Sequence, residues 1–361
     1  MPHLFDEFRL KDVTLKNRIA VSPMCQYSAD DGMPNTWHSV HLGARAVGGA
    51  GLVIAEATAV APEGRITPGC TGIWNDTQTA AFAPIAAFIK RYAVPGIQIA
   101  HAGRKASANR PWEGDDHMAA DDPRAWQPIG PSAVAFGANL PRVPTEMSKA
   151  DIARVQHDFV EAAKRALAAG FEWLELHFAH GYLAQSFFSP IANKRQDEYG
   201  GSFDNRSRFL TETLSAVRKV WPEKYPLTAR LGVSDFTSES QPLEESIALV
   251  KRFKSLGLDL IDVSVGFNTP DVSGVPWGPA FMAPFAERIR REAQIPTAVG
   301  WFVSDPKQAE AIVESGQADL VMLARGELSD PNWTYHAAQA LGRADPHATL
   351  PPQYAHWLRG R

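Results

Sequence analysis

Short runs of aliphatic and β-branched residues recur along the chain, and each gives way to small or polar residues. They read RIAVSPMC (18–25), GLVIAEAT (51–58), GIQIAHAG (96–103), EWLELHFA (172–179), LTARLGVS (227–234), LDLIDVSV (258–265), PTAVGWF (296–302) and ADLVMLAR (318–325). Apolar runs this short, bounded by turn formers, predict buried strands, here eight of them. Amphipathic stretches lie between. Residues 76–92 set Phe82, Ile85, Ala86 and Ile89 at helical spacing. Residues 148–170 open on Ser148 as a cap and close on Gly170, and residues 242–257 open on a proline and close on Gly257. Residues 304–317 begin with a cap-like Ser304 and stop at Gly316. Such ends satisfy the backbone groups that a helix leaves unpaired.

Strands alternating with helices imply parallel βαβ units, and eight of them over 361 residues predict a closed (β/α)8 barrel, the TIM barrel of the α/β class. A doubly wound open sheet is the alternative. No GxGxxG follows the first strand, and GGAGL (48–52) precedes a strand instead, which weakens it. Residues 1–17 alternate apolar and polar, as an N-terminal hairpin capping the barrel floor would. Residues 104–147 are too long for a strand-to-helix connection and rich in Pro, Gly and Asp, so this insertion after strand three is expected at the active-site rim. No linker interrupts the chain. One domain over residues 1–361 is expected, with residues 345–361 as a C-terminal arm.

Composition narrows the partners. The chain is 45% hydrophobic, and its 36 basic and 40 acidic residues leave a net charge of −4, so no polyanion-binding surface and no nucleic-acid partner are expected. The two cysteines, Cys25 and Cys70, form no CxxC pair, which speaks against a disulfide framework or a structural zinc site. The stretch MPHLFDEFRLKD is charged, without the apolar core of a signal peptide, and no apolar run reaches the roughly 18–20 residues of a membrane span. A cytoplasmic protein with no membrane partner is expected.

Barrel enzymes carry their chemistry at the C-terminal ends of the strands. Those ends hold Cys25, Tyr27, Thr58, His101, His177, His180, Tyr182, Arg230, Trp301 and Arg325. Gly300 and Arg325 follow strands seven and eight, where barrels commonly bind phosphate; a simple turn and a surface ion pair are the alternative. Arg230, inside an apolar strand, needs a counter-charge or an electron-rich partner, and the sequence by itself slightly favours a structural salt bridge. The imidazoles of LELHFAHGY admit three readings. They could ligate a metal with His101 in a barrel hydrolase, cap the strand end, or hold a carbonyl oxygen as it gains negative charge beside Tyr182 as proton donor.

Five motifs, NRIAVSPMCQYSADDG (17–32), EATAVAPEGRITPG (56–69), IQIAHAGRKAS (97–107), HFAHGYLAQSFFSP (177–190) and DEYGGSFDNRSRF (197–209), resemble those of the Old Yellow Enzyme flavoproteins, in order and spacing. The match is to the bacterial branch of xenobiotic reductases and thermophilic-type ene-reductases, and it runs from first strand to last.

The resemblance implies non-covalent FMN across the barrel mouth and an NAD(P)H-dependent oxidoreductase. By motif position, Ser22, Pro23, Met24 and Cys25 would line the flavin, Ala57 and Gln98 its pyrimidine side, and Arg230 the N1 and C2 carbonyl. Gly300, Trp301, Ala324 and Arg325 complete the cofactor set, with Gly300, Ala324 and Arg325 at the phosphate. His177 and His180 would hold the substrate carbonyl, Tyr182 would protonate its α-carbon, and Tyr27 would face the same pocket. Cys25 would tune the flavin and touch substrate, and Cys70 would be structural. A cation about 4 Å from the charge on reduced flavin is worth roughly 4 kcal/mol at an effective dielectric of about 20, or about 90 mV for a two-electron couple. The implied reaction is ping-pong: NADPH or NADH reduces FMN and leaves, then an activated alkene (enone, maleimide, nitroalkene) takes hydride at its β-carbon. Two tryptophans depart from many relatives. Trp301 stands where an aliphatic residue follows the glycine, and Trp357 where an arginine crosses a subunit interface. Trp301 is expected to wall the pocket and Trp357 to reach a neighbouring subunit's site in a homodimer, with a tetramer as the alternative.

Overall fold

The computed structural model describes residues 1–359. Eight parallel strands close in chain order: β1 (Ile19–Val21), β2 (Leu52–Ala59), β3 (Val94–Ala100), β4 (Trp173–Phe178), β5 (Leu227–Gly232), β6 (Leu260–Ser264), β7 (Thr297–Val299) and β8 (Leu320–Leu323). β8 pairs with β1, so no strand edge is left open. This is the expected TIM barrel, with every strand inside its predicted run or within two residues of it.

Helices α1 (Thr36–Val47), α2 (Asp76–Lys90), α3 (Lys149–Ala168), the short α4 (Leu183–Phe188), α5 (Phe203–Arg218), α6 (Leu243–Ser255), α7 (Ala283–Ala293) and α8 (Pro306–Glu314) follow the strands. α9 (Arg325–Ser329), α10 (Trp333–Ala340) and α11 (Pro352–Leu358) complete the chain. α2 buries Phe82, Ile85, Ala86 and Ile89, the spacing read from sequence. α3 starts with a reciprocal capping box in which Ser148 and Asp151 satisfy each other's backbone N–H. The cap of α8 differs from expectation. Asp305, not Ser304, accepts from the N–H groups of Lys307 and Gln308, because the ionised carboxylate sits directly before Pro306 at the first turn.

Phe8–Leu10 and Val13–Leu15 form the N-terminal hairpin, whose buried Phe8, Val13 and Leu15 pack with Leu52, Trp173 and Leu260. All three partners lie at or next to strand starts, so the hairpin closes the barrel floor. The excursion after β3 carries a two-stranded pair, Ile129–Gly130 with Thr145–Glu146. No helix among the described residues is long and apolar enough to cross a membrane.

Candidate active site

Strand register brings the site together. His177 on β4 lies opposite Arg230 on β5, which in turn lies opposite Asp262 on β6. Gln98 on β3 lies opposite Glu175 on β4, one pleat deeper. Residues two apart on a strand share a face, so these side chains point inward as a layer.

Arg230 has the counter-charge its burial required: Nε stands 3.1 Å from Oδ2 of the fully buried Asp262. The N–H is not aimed at the carboxylate, so neither Nε nor the Asp262 oxygens gain a directed hydrogen bond. Nη1 reaches Ser22 Oγ at 3.4 Å. Glu175, which accepts from Gln98 Nε2 at 2.8 Å, is pushed up by burial and then by the neighbouring Asp262. Burial likewise raises Asp262 against the pull of Arg230. The two carboxyls therefore hold protons more readily than free ones.

The three rings of the LELHFAHGY stretch meet edge to face. His177 lies 5.0 Å from both His180 and Tyr182, centroid to centroid. His180 and Gly181 sit in left-handed backbone, φ 61° and 67°, and a Cβ at Gly181 would lie 2.1 Å from the Phe267 carbonyl. Only glycine fits there, and the tight turn aims the rings inward. Burial first, then the Arg230 charge, holds both imidazoles well below the ordinary histidine range, so they are neutral. His177 Nδ1 accepts a long bond from the Ala179 N–H at 3.4 Å, which leaves its proton on Nε2. Burial raises Tyr182 well above the ordinary phenol, so it keeps its proton.

Two cavities share this wall. One, about 260 Å³, is lined by Ser22, Pro23, Arg230, Gly300, Ala324 and Arg325 together with His180 and Trp301. Arg325 is exposed, in no ion pair among the described residues, and its guanidinium lies 5.2 Å from the Phe302 ring centroid. The surface ion pair considered from sequence is not formed. A Cβ on Gly300 would stand 2.6 Å from the Met322 carbonyl, so β7 can approach β8 there only as glycine. The second cavity, about 510 Å³, is lined by Tyr27, Lys105, Phe136, Tyr182 and Phe267, again with His180 and Trp301.

Met24 packs partly buried against the core. Cys25 is held as a thiol, its pKa pushed up by burial. Cys70 is buried, its sulfur accepting from Thr67 N. Trp357 is not brought to either cavity; it lies 76% exposed on α11. His101 accepts from Gly103 N through Nδ1. Among the described residues no three His, Cys, Asp or Glu side chains gather as a metal-binding group.

Sequence reasoning missed Lys105, Asp262 and Ser264. Lys105 Nζ donates to the carbonyls of His180 (2.8 Å) and Phe267 (2.9 Å). Ser264 Oγ lies 2.8 Å from His180 Nε2 and accepts from Trp301 Nε1 at 3.0 Å. An acid at register with an arginine on the next strand was a readable signal for Asp262; nothing local marked the other two.

A barrel mouth with a buried guanidinium whose ion pair lacks a directed hydrogen bond, a glycine-floored cavity ending on an arginine outside any ion pair, and two neutral imidazoles beside a phenol suits a bound anionic redox cofactor. The class is a flavin-dependent barrel oxidoreductase. The chain belongs to the NADH:flavin oxidoreductase / NADH oxidase family, whose profile matches residues 3–343. It is similar to an NADPH dehydrogenase of Geobacillus sp. (strain WCH70), 45% identical over 94% of each chain. A structure of morphinone reductase in complex with tetrahydroNAD superposes with TM-score 0.78 at 25% identity, over 97% of this chain and 95% of that one. The Old Yellow Enzyme homologue of Zymomonas mobilis superposes with TM-score 0.75 at 25% identity, over 98% and 99%. The protein is an FMN- and NAD(P)H-dependent oxidoreductase of Old Yellow Enzyme type.

Proposed function

We propose that the chain reduces activated alkenes, compounds whose double bond is conjugated to a carbonyl or nitro group. When bound, FMN supplies the redox chemistry, accepting hydride from NAD(P)H and donating it to the alkene. Ser22, Pro23, Met24, Cys25, Ala57, Gln98 and Arg230 would hold its ring, Gly300, Ala324 and Arg325 its phosphate, and Trp301 would wall the site between them. The orphaned Arg230 Nε–H supports this reading, since a buried donor without a partner is costly unless a ligand accepts from it.

The substrate oxygen would lie against His177 and His180, whose neutral imidazoles offer N–H donors that strengthen as negative charge develops. Neutrality matters because a charged pair would bind oxyanions but tax the dry site. Tyr182 then gives its phenolic proton to the α-carbon, and Tyr27 and Trp301 close the pocket around the substrate. The observation that carries the reading is the mutual edge-to-face arrangement of His177, His180 and Tyr182 with all three kept uncharged. Changing Tyr182→Phe should slow alkene reduction by about 10²–10⁴ while reduction of the flavin by NAD(P)H persists. Equal losses in the two half-reactions, followed separately by stopped-flow absorbance, would reject the role.

The chain acts as a single domain and, in this reading, as a homodimer in which Trp357 reaches the partner's pocket. Its exposure supports that, as does an apolar groove of about 670 Å³ lined by Val40, Phe88 and Tyr354 on the face that α11 shares.

A further inference from the structure

We infer that Ser264 sets the imidazole tautomer of His180, and that Trp301 is what makes Ser264 do so. This rests on the reading that His180 donates to the substrate oxygen, and it adds how the correct nitrogen comes to carry the proton. A serine hydroxyl has one hydrogen and two lone pairs, whereas an indole N–H can only donate. Trp301 Nε1 donates to Ser264 Oγ at 3.0 Å and so occupies one lone pair. His180 Nε2 stands 2.8 Å from the same oxygen. Ser264 is fully buried, and its hydroxyl has no other acceptor among the described residues.

Two arrangements are available. If Nε2 carried the proton, Ser264 would accept twice and its own hydrogen would be stranded in a dry site. If Ser264 donates to Nε2, every hydrogen is used, and the His180 proton is left on Nδ1. Satisfaction of buried polar groups selects the second. Nδ1 has no partner among the described residues, and the His180 side chain lines both cavities. The relay Trp301 → Ser264 → His180 thus delivers a donor to the open face. Trp301 is then a positioning residue as well as a wall. Arg230, Lys105 and His177 are the charged and titratable groups facing His180, and all disfavour its protonation, so a neutral imidazole with one proton is the species to be placed.

The test reads the tautomer directly. In FMN-loaded protein labelled with 15N-histidine, bare and protonated ring nitrogens resonate far apart, and His180 is assigned by loss of its signals in His180→Asn. Bare Nε2 with protonated Nδ1 is expected in the wild type, and bare Nδ1 overturns the inference without any further variant. Ser264→Ala should release the tautomer and weaken binding of a phenol ligand about 10-fold, the size of one misplaced hydrogen bond. Ser264→Thr, which keeps the hydroxyl, should restore both. Trp301→Phe should shift the His180 signals toward a mixture; unchanged signals would remove the tryptophan from the relay. Failure of the Tyr182 test would leave these resonances untouched, so the two readings fall separately.

Discussion

Replacing Lys105 with methionine keeps the length of the side chain and deletes the two N–H groups that clamp the carbonyls of His180 and Phe267. Both clamped residues lie in left-handed backbone, φ 61° and 51°, so the clamp holds a turn that L-residues resist. Leaving two such carbonyls unpaired costs about 1–3 kcal/mol each. The ammonium itself is held at a cost. Burial first, then Arg104, lowers Lys105 to about 7, with Asp235 and Asp115 opposing. A neutral amine keeps two hydrogens and can still serve both carbonyls. The sign follows from proton counting. Between about pH 7 and the unfolded value of 10.5 the unfolded chain binds a proton that the folded chain does not, so stability rises with pH across that window. The rise is about 1.4 kcal/mol per pH unit at most, and roughly 2–4 kcal/mol over the window once the open side of the neighbouring cavity screens it. Denaturant unfolding of FMN-loaded wild type and Lys105→Met should therefore diverge as pH is raised from about 7 to about 9.5, with the wild type gaining on the variant. A gap that stays level or narrows would refute the depressed pKa of the buried amine.

Phe187 is fully buried and stacked on Phe209 at 4.4 Å with rings 8° from parallel, so Phe187→Ala should lose about 3–5 kcal/mol of unfolding free energy, read from denaturant midpoints. His177→Ala and His180→Ala should each weaken the absorbance change that a phenol ligand induces in the bound flavin; unaltered phenol affinity would count against the oxyanion-holding pair. Trp357→Ala should raise the alkene KM and leave flavin reduction alone, while unchanged kinetics together with unchanged particle size in light scattering would remove the tryptophan from the partner's pocket.

The barrel was legible because its strands obey the rule most robust to context, short aliphatic runs ended by small residues, and all eight lie where those runs lie. Helices were legible where a broad apolar face coincided with end signals, as in α2, α3, α6 and α8. α1 escaped because the side it buries carries His38, His41 and Arg45 among its apolar residues, so the hydrophobic stripe is broken. α7 escaped for a related reason: its buried face is mostly alanine beside a strongly charged outer face. The rings of the site were visible as residues, and their neighbours were not. Ser264 looks like any small polar strand end until Trp301, 37 positions on, and His180, 84 positions back, are folded against it. Lys105 reaches partners 75 and 162 positions away. Hydrogen-bond roles that depend on long-range closure leave no periodic trace.

Arg230 forms the structural salt bridge, and that pairing does not exclude a flavin contact. The nearby Asp262 makes burial of the guanidinium tolerable, since an unpaired charge there would cost several kcal/mol. A fully ionised partner in ideal geometry would also cancel the field that the mouth needs. Cancellation is limited in two ways: the Nε–H does not point at the carboxylate, and burial, then Asp262, raises Glu175 so that the second carboxyl of the layer adds little negative charge. The residual positive field then acts on everything above it. It adds to the burial that already keeps His177 and His180 as neutral donors, and it favours negative charge arriving at the mouth. Support and function are thus one arrangement, in which an imperfect ion pair at the base of the mouth reinforces what burial does to the imidazoles and keeps the anion welcome.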